Sequence, residues 1–257
     1  MKQSQATRVR KLNLGCGSRY NSDSSWENAD FSGRPPRVSR VNLRHRLPYK
    51  PDTFAFVYMS HVIDHFPLTR VRSLLGEIYG CLVPGGILRI SVPNLEISAT
   101  NYLRSLEENR ADPVRHHWHT IELLDQLTRV ERGGEKAKFL QSARSRLEVL
   151  SWLRPLLGHE MLRHLEVEPS SRRPIGLLKT VASAVLRRVV SFEASGERHY
   201  WMFDEVSLGY FLQQAGFRQV VRLDWNQSLN VEYLAENLDS HEGYEYKPGS
   251  LYVEAVK

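Results

Sequence analysis

Two short clusters hold the residue types that do chemistry. The first is Gly15-Cys16-Gly17, which closes an apolar run containing Leu12 and Leu14, with Asp30 following after a gap of a dozen residues. A glycine turn at the carboxyl end of a strand lets a ligand approach the backbone closely. A carboxylate at the end of the next strand can accept hydrogen bonds from both hydroxyls of a ribose. Together they fit a nucleoside-containing cofactor, although an ordinary turn beside an acid would look the same. Tyr20 stands where the fingerprint G-x-G-x-x-G needs its third glycine, which argues against a dinucleotide such as NAD. Cys16 reads as a small residue filling a tight turn rather than as a reactive thiol. The second cluster is Ser60 and His61 with Asp64 and His65. His61, Asp64 and His65 are spaced i, i+3 and i+4 and share one face if the segment is helical. A histidine with an ordinary pKa of about 6.5 suits the removal of a hydroxyl proton. The plainer alternative is a helix N-terminus, with Asp64 favouring the dipole and the histidines partly exposed. The three side chains are also of metal-ligating type, but no fourth ligand is evident, and no metal is expected.

These clusters need elements to position them. Residues 11–15 and 54–60 read as buried strands, and 38–44 as a weaker one. His61 opens a helix or helical turn. Residues 69–83 form an amphipathic helix burying Val71, Leu74, Leu75, Ile78 and Leu82, stopped by Pro84-Gly85-Gly86. A strand over 86–94 follows. This alternation predicts a parallel sheet, hence an α/β, doubly wound fold. Residues 96–199 change to helical periodicity and read as an inserted cap. A helix over 203–215 and strands over 217–224 and 250–257 then return, joined by the turn-rich loop 236–249. That last pair is expected to be antiparallel at a sheet edge. The expected domains are therefore 1–95 with 200–257, and 96–199.

Composition narrows the function. The 257 residues are two-fifths hydrophobic and one-quarter charged, as in a globular protein. No apolar run is long enough to span a membrane, and the polar, basic first ten residues do not read as a secretion signal. Two cysteines, Cys16 and Cys81, argue against a disulfide framework and favour a reducing cytoplasm. The net charge of +6 favours acidic partners. Basic patches interleaved with aromatics are not evident, and nucleic acid is disfavoured as a partner.

Taken together, LNLGCG, WENAD, LPYKPDTFAFVYMSHVIDHF and LVPGGILRISVPN resemble the class I S-adenosylmethionine-dependent methyltransferases. The likeness is greatest to the subgroup associated with glycosyltransferases and surface-polysaccharide synthesis. It covers residues 11–95 and returns in HYWMFDEVSLGYFLQQAGF (199–217) and SLYVEAVK (250–257). The resemblance implies a Rossmann-like sheet with an antiparallel last strand and S-adenosylmethionine as cofactor. Leu14, Gly15, Cys16 and Gly17 would lie against its methionine part, Asp30 would bind the ribose, and Asn42 and Leu43 would sit near adenine. The subgroup often has an acid where Asn42 stands. Ser60 and His61 would face the sulfonium and the acceptor, with His61, His65 and Asp64 as the catalytic group. The gap from Gly17 to Asp30 leaves room for only a turn or so of the first helix.

Within the insertion, His116, His119, Glu122, Asp125 and Arg129 recur at helical spacing and can line one polar face. Either this is a solvated, ion-paired helix, or His119, Glu122 and Arg129, with His199, form an acceptor-binding wall. Trp201 is assigned to core packing ahead of ring stacking. Residues 172–192 read as a buried cap helix or, alternatively, as an interfacial helix touching anionic membrane. The expected activity is O-methylation of a sugar or glycan-related acceptor in the cytoplasm, at the inner face of the membrane if 172–192 engages lipid. The alternatives are methylation of another small molecule or of nucleic acid, a non-catalytic cofactor-binding protein and, less favoured, an NAD-dependent oxidoreductase.

Overall fold

The computed structural model describes residues 10–108, 112–158, 161–162, 165, 196–234 and 236–257. Residues 172–192 lie outside the described residues. Among the described residues, no helix is long and apolar enough to cross a membrane. The chain divides into two compact units, one formed by 1–93, 203–244 and 250–257, the other by 94–202 and 245–249.

The first unit is built on a seven-stranded sheet. Its strands are β1 (Lys11–Leu14), β2 (Trp26–Asp30), β3 (Ser39–Arg40), β4 (Phe54–Ser60), β5 (Leu82–Pro93), β6 (Gln219–Leu223) and β9 (Ser250–Val256). The strand order is β3-β2-β1-β4-β5-β9-β6. The first five pair in parallel, and β9 runs antiparallel to both β5 and β6. The expected α/β class, with its antiparallel last strand, is therefore what the chain forms. The last pair, β9 and β6, is antiparallel and forms the edge of the sheet as expected, with β9 between β5 and the edge strand β6. β1 is buried along its whole length and β4 nearly so, as interior parallel strands with both faces covered must be.

One face packs against helices α1 (Leu68–Cys81) and α6 (Glu205–Gln214). Their Val71, Leu74, Leu75, Ile78, Leu208 and Leu212 meet Leu12, Leu14, Val57, Met59 and Leu88 of the strands. A capping box starts α6: Ser207 N–H donates to Asp204 Oδ1 at 2.7 Å, and Asp204 N–H donates to Ser207 Oγ at 3.1 Å. The expected stop at Pro84-Gly85-Gly86 comes earlier. α1 ends at Cys81, Leu82 is already extended (φ −75°, ψ 141°), and the three breakers lie inside β5. There the register slips, with Phe54 opposite Leu82 but Phe56 opposite Ile87. A proline without an N–H is tolerated in such a bulge.

The opposite face is covered by residues 224–234 and 236–241, including the short α7 (Val231–Leu234). Trp26, Phe56 and Tyr58 of the sheet pack there against Tyr233 and Leu238. Residues 15–25 contain no helix. Instead they lie pinned to the sheet by two buried amides: Asn13 Nδ2 donates to Arg19 O at 2.9 Å, and Asn28 Nδ2 donates to Asn21 O at 2.7 Å. A two-stranded ribbon, β7 (Ser240–His241) and β8 (Tyr244–Glu245), completes the strands.

The second unit contains α2 (Leu95–Glu108), α3 (Pro113–Thr128), α4 (Gly134–Ala143) and α5 (Leu147–Leu153). Its core gathers around the fully buried Trp118, with Ile121, Phe139, Val149 and Leu153. Asp112 caps α3 by accepting from Arg115 N–H at 3.1 Å, with Pro113 at the first helical position.

Candidate functional site

Parallel register brings the chemistry-bearing residues of the first unit to one edge of the sheet. Leu14 is opposite Ala29 on β2 and Met59 on β4, so Gly15, Asp30 and Ser60 follow at neighbouring strand ends. The turn after Leu14 holds Gly15 at φ +67° and Gly17 at φ +53°. A Cβ on Gly15 would come within 2.5 Å of Val62 Cγ2, whereas one on Gly17 would meet nothing within 4 Å. The space beside Gly17 is therefore open to a ligand. Gly15→Ala is expected to cost roughly 2 kcal/mol in urea unfolding, from the left-handed backbone plus the clash. Gly17→Ala, with backbone strain alone, should cost about half that; equal losses would contradict this packing.

The turn's own amides are already committed. Gly15 and Cys16 N–H donate to Ala29 O at 2.8 and 3.2 Å, and Gly17 N–H donates to Asp30 Oδ2 at 3.0 Å. Asp30 Oδ1 accepts from Ser32 N–H at 2.9 Å and Ser32 Oγ at 2.6 Å. A carboxylate offers about four acceptor positions, so three are filled and one remains, on Oδ2. Burial, then the Asp30 charge, pushes the Cys16 thiol up to about 11. At pH 8 about one such thiol in a thousand is ionised. Cys16 in the folded chain should alkylate at least a hundredfold more slowly than in the urea-unfolded chain. Similar rates would make it a reactive thiol after all.

Asn42 is brought beside Asp30 because Val41 N–H donates to Asp30 O at 3.0 Å. Its Oδ1 accepts from Arg44 N–H at 3.0 Å. The Leu43 side chain is buried in the core, and its carbonyl accepts from Arg70 Nε at 2.6 Å. Ser60 Oγ accepts from Ser91 Oγ at 2.8 Å.

His61 does not lie on a helix with Asp64 and His65. It ends β4 in a left-handed conformation, φ +52°, which few residues other than glycine adopt. Its N–H donates to Ser91 O at 2.8 Å, and its Nε2 lies 2.9 Å from Ser250 Oγ. Only Ile63–His65 form a single 3-10 turn. Phe66 precedes Pro67 and is forced extended (φ −122°, ψ 147°), so the helix restarts at Leu68. Asp64 is fully buried, and His65 Nε2 lies 3.7 Å from its Oδ2.

In the second unit, Glu122 accepts from Lys136 Nζ and Arg129 pairs with Asp125. Asp125 also accepts from Glu135 N–H at 2.6 Å, so these polar groups tie α3 to α4. Burial holds His119 below its ordinary pKa, leaving it neutral at pH 7. His199 is buried, and its N–H donates to Gln126 O at 2.9 Å. Trp201, assigned to packing from the sequence, is 43% exposed.

Two further groups belong to the scaffold of the first unit. Arg19 donates from Nε to Leu238 O at 3.0 Å and from Nη2 to Ser240 O at 2.7 Å, while its N–H donates to Cys16 O at 2.8 Å. It thus couples the glycine turn to the loop that covers the sheet. A cavity of about 520 Å³ lies along that loop, lined by Arg19, Trp225, Tyr233 and His241, and none of the expected cofactor residues borders it. The second group centres on Arg89, wholly buried in β5. Its Nε donates to Asp239 Oδ2 at 2.7 Å and its Nη1 to Glu254 Oε1 at 2.9 Å. Tyr58 and Tyr233 hydroxyls donate to Asp239 at 2.7 and 3.0 Å. Burial, then the neighbouring Asp239 for Tyr58 and Tyr58 for Tyr233, holds both phenols well above their usual range. An arginine inside a buried strand was the available signal, since such a charge requires a partner.

A family model described as a methyltransferase domain matches residues 18–90. An uncharacterized protein of Saccharomyces cerevisiae is 34% identical over 84 residues, which are 32% of this chain and 9% of that protein. The chain thus spans about a tenth of the length of this curated relative. A crystal structure of an S-adenosylmethionine-dependent methyltransferase from Archaeoglobus fulgidus is 11% identical, with a TM-score of 0.40, covering 98% of this chain and 87% of the other. One from Mesorhizobium loti is 16% identical, with a TM-score of 0.40, covering 97% and 91%.

Proposed function

We propose that the chain transfers a methyl group from S-adenosylmethionine to an oxygen of a sugar or glycan-related acceptor. The observation that carries the cofactor reading is the pair Gly17 and Asp30. Open space beside the turn leaves room for a ligand, and the remaining acceptor position on Asp30 Oδ2 suits a ribose hydroxyl. The methyltransferase match over 18–90 supports the same reading. The bound sulfonium supplies the methyl group and its own leaving group. The chain's task is to hold, orient and deprotonate.

Asp30 holds the ribose. Asn42 Oδ1, beside its bond to Arg44, has a second lone pair for the adenine amino group. Ser60 and His61 face the acceptor from the end of β4. His61, whose Nε2 meets Ser250 Oγ, is the first candidate base for the acceptor hydroxyl. The His65–Asp64 pair is the second candidate base. The expected acceptor contacts His119, Glu122, Arg129 and His199 lie in the helical unit, where Glu122 and Arg129 are engaged by Lys136 and Asp125. The sugar class rests on the sequence resemblance to the polysaccharide-associated subgroup. The same reading places the protein in the cytoplasm, where both thiols stay reduced.

The test uses methyl-labelled cofactor with nucleotide sugars, an unlinked glycan and transfer RNA as acceptors. Label should enter the sugar of a glycan-type acceptor. His61→Ala should lower turnover about a hundredfold or more with little change in cofactor affinity. Label entering only the RNA, or cofactor binding with no transfer to any acceptor, would overturn the proposal.

A further inference from the structure

We propose that the segment from Phe31 to Arg46 is a docking surface for an anionic lipid bilayer. Over these sixteen residues the chain carries five arginines and His45, and neither aspartate nor glutamate. Arg34, Arg37, Arg40, Arg44 and Arg46 are all exposed. Arg37 Nη1 donates to the Tyr20 hydroxyl at 2.8 Å, and the Arg40 guanidinium lies 5.8 Å from the Phe31 ring. Neither of them, nor Arg34, pairs with a carboxylate among the described residues. Each guanidinium keeps donors that match phosphate oxygens. The acid nearest in sequence, Asp30, is engaged with Gly17 and Ser32.

The backbone fits the bilayer better than charge alone would. Arg34-Pro35-Pro36-Arg37-Val38 is a closed turn with an exposed apolar apex between two cations. Arg34 N–H donates to Val38 O at 2.8 Å, and Arg37 and Val38 N–H both donate to Arg34 O at 3.0 Å. Pro35 and Pro36 have no N–H to satisfy. Every backbone donor of the turn is therefore paired within it. Such a turn enters the dehydrated headgroup layer without stranding a donor. A polynucleotide would gain nothing from that arrangement.

Phe31, 58% exposed, adds an aromatic ring of the kind that settles at a membrane interface. Val38, buried to 1% exposure, anchors the turn from beneath. Farther along, the segment is held where Arg70 donates to Leu43 O at 2.6 Å and to His45 O at 2.7 Å. The arginines thus stand on a fixed frame. Arg40 on the edge strand β3 also deters strand pairing between molecules. That role does not call for an exposed phenylalanine. The surface begins at the residue after Asp30 and contains Asn42, so docking would bring the expected cofactor residues to the lipid. The inference does not depend on the methyl-transfer reading.

Sedimentation with vesicles tests it. The full chain should pellet with vesicles of about two parts phosphatidylcholine to one part phosphatidylglycerol at low salt, and not with phosphatidylcholine alone. High salt should release it. Replacing Arg34→Gln, Arg37→Gln and Arg40→Gln together should weaken binding about a hundredfold, roughly fivefold per arginine. All three are exposed, so thermal melting of the variant should match the parent. Phe31→Ser should weaken vesicle binding and leave the weaker binding of an oligothymidine probe unchanged. Failure of the parent to pellet with anionic vesicles would overturn the proposal. So would undiminished binding by the triple variant, which would move the contact elsewhere, or tighter binding to oligothymidine than to vesicles.

Discussion

Asp30→Ala should weaken S-adenosylmethionine binding about tenfold to a hundredfold, the worth of a hydrogen bond to a charged group. The effect is large because Asp30 serves two purposes. It holds Gly17 N–H at 3.0 Å, which fixes the open side of the turn, and its Oδ2 keeps one acceptor position, which the proposed ribose contact would take. Ser32 occupies both used positions on Oδ1. Gripping both ribose hydroxyls would therefore require the Ser32 hydroxyl to rotate away. Ser32→Ala removes that competitor and should leave affinity unchanged or raise it. Titration calorimetry on the two variants checks both expectations. Asp30→Ala with parental affinity would remove the carboxylate from the site.

Arg89→Met should destabilise the first unit by about 3–5 kcal/mol, a large part of a typical domain's stability. The guanidinium is fully buried between Asp239 and Glu254, and stacks 5.1 Å from Tyr233 and 5.3 Å from Tyr252. Without it, two buried carboxylates face each other uncompensated. Each carboxylate also accepts on both oxygens, Asp239 from Tyr58 and Tyr233, Glu254 from Ser228 Oγ at 2.6 Å and Leu229 N–H at 2.7 Å; an amide in its place keeps one of these bonds on its oxygen and can donate its N–H to a hydroxyl at the other. Adding Asp239→Asn and Glu254→Gln to Arg89→Met should therefore recover most of the loss. Urea unfolding measures both. A loss under about 1 kcal/mol in the single variant would show that the cluster contributes little.

Much of the sheet was legible because its strands declare themselves by apolar runs. Leu12 and Leu14, Phe54 to Met59, and the α1 stripe of Val71, Leu74, Leu75 and Ile78 all lie where their periodicity puts them. The end of α1 was not legible. Pro84, Gly85 and Gly86 are breakers in isolation, but pairing with β4 pulls the chain into a bulged strand from Leu82. The spacing of His61, Asp64 and His65 suggested one helical face. The conformation was set instead by Pro67 downstream and by the His61 N–H bond to Ser91 O.

The candidate turn and acid stand out in the sequence; the scaffold that holds them does not. Asn13, Asn28 and Arg19 pin residues 18–24 against the sheet, where a longer first helix would otherwise lie. Their partners are backbone carbonyls, which leave no pattern in a sequence. Arg89 and Glu254 are adjacent only through the register of β5 with β9, more than 150 residues apart in the chain. Non-local pairing of this kind has no short-range signature.

The most direct test is a calorimetric titration of the chain with S-adenosylmethionine, S-adenosylhomocysteine and NAD. The Gly17–Asp30 site should bind the first two at one per chain and leave NAD unbound. Absence of binding by both sulfur compounds, or tight binding of NAD, would contradict it.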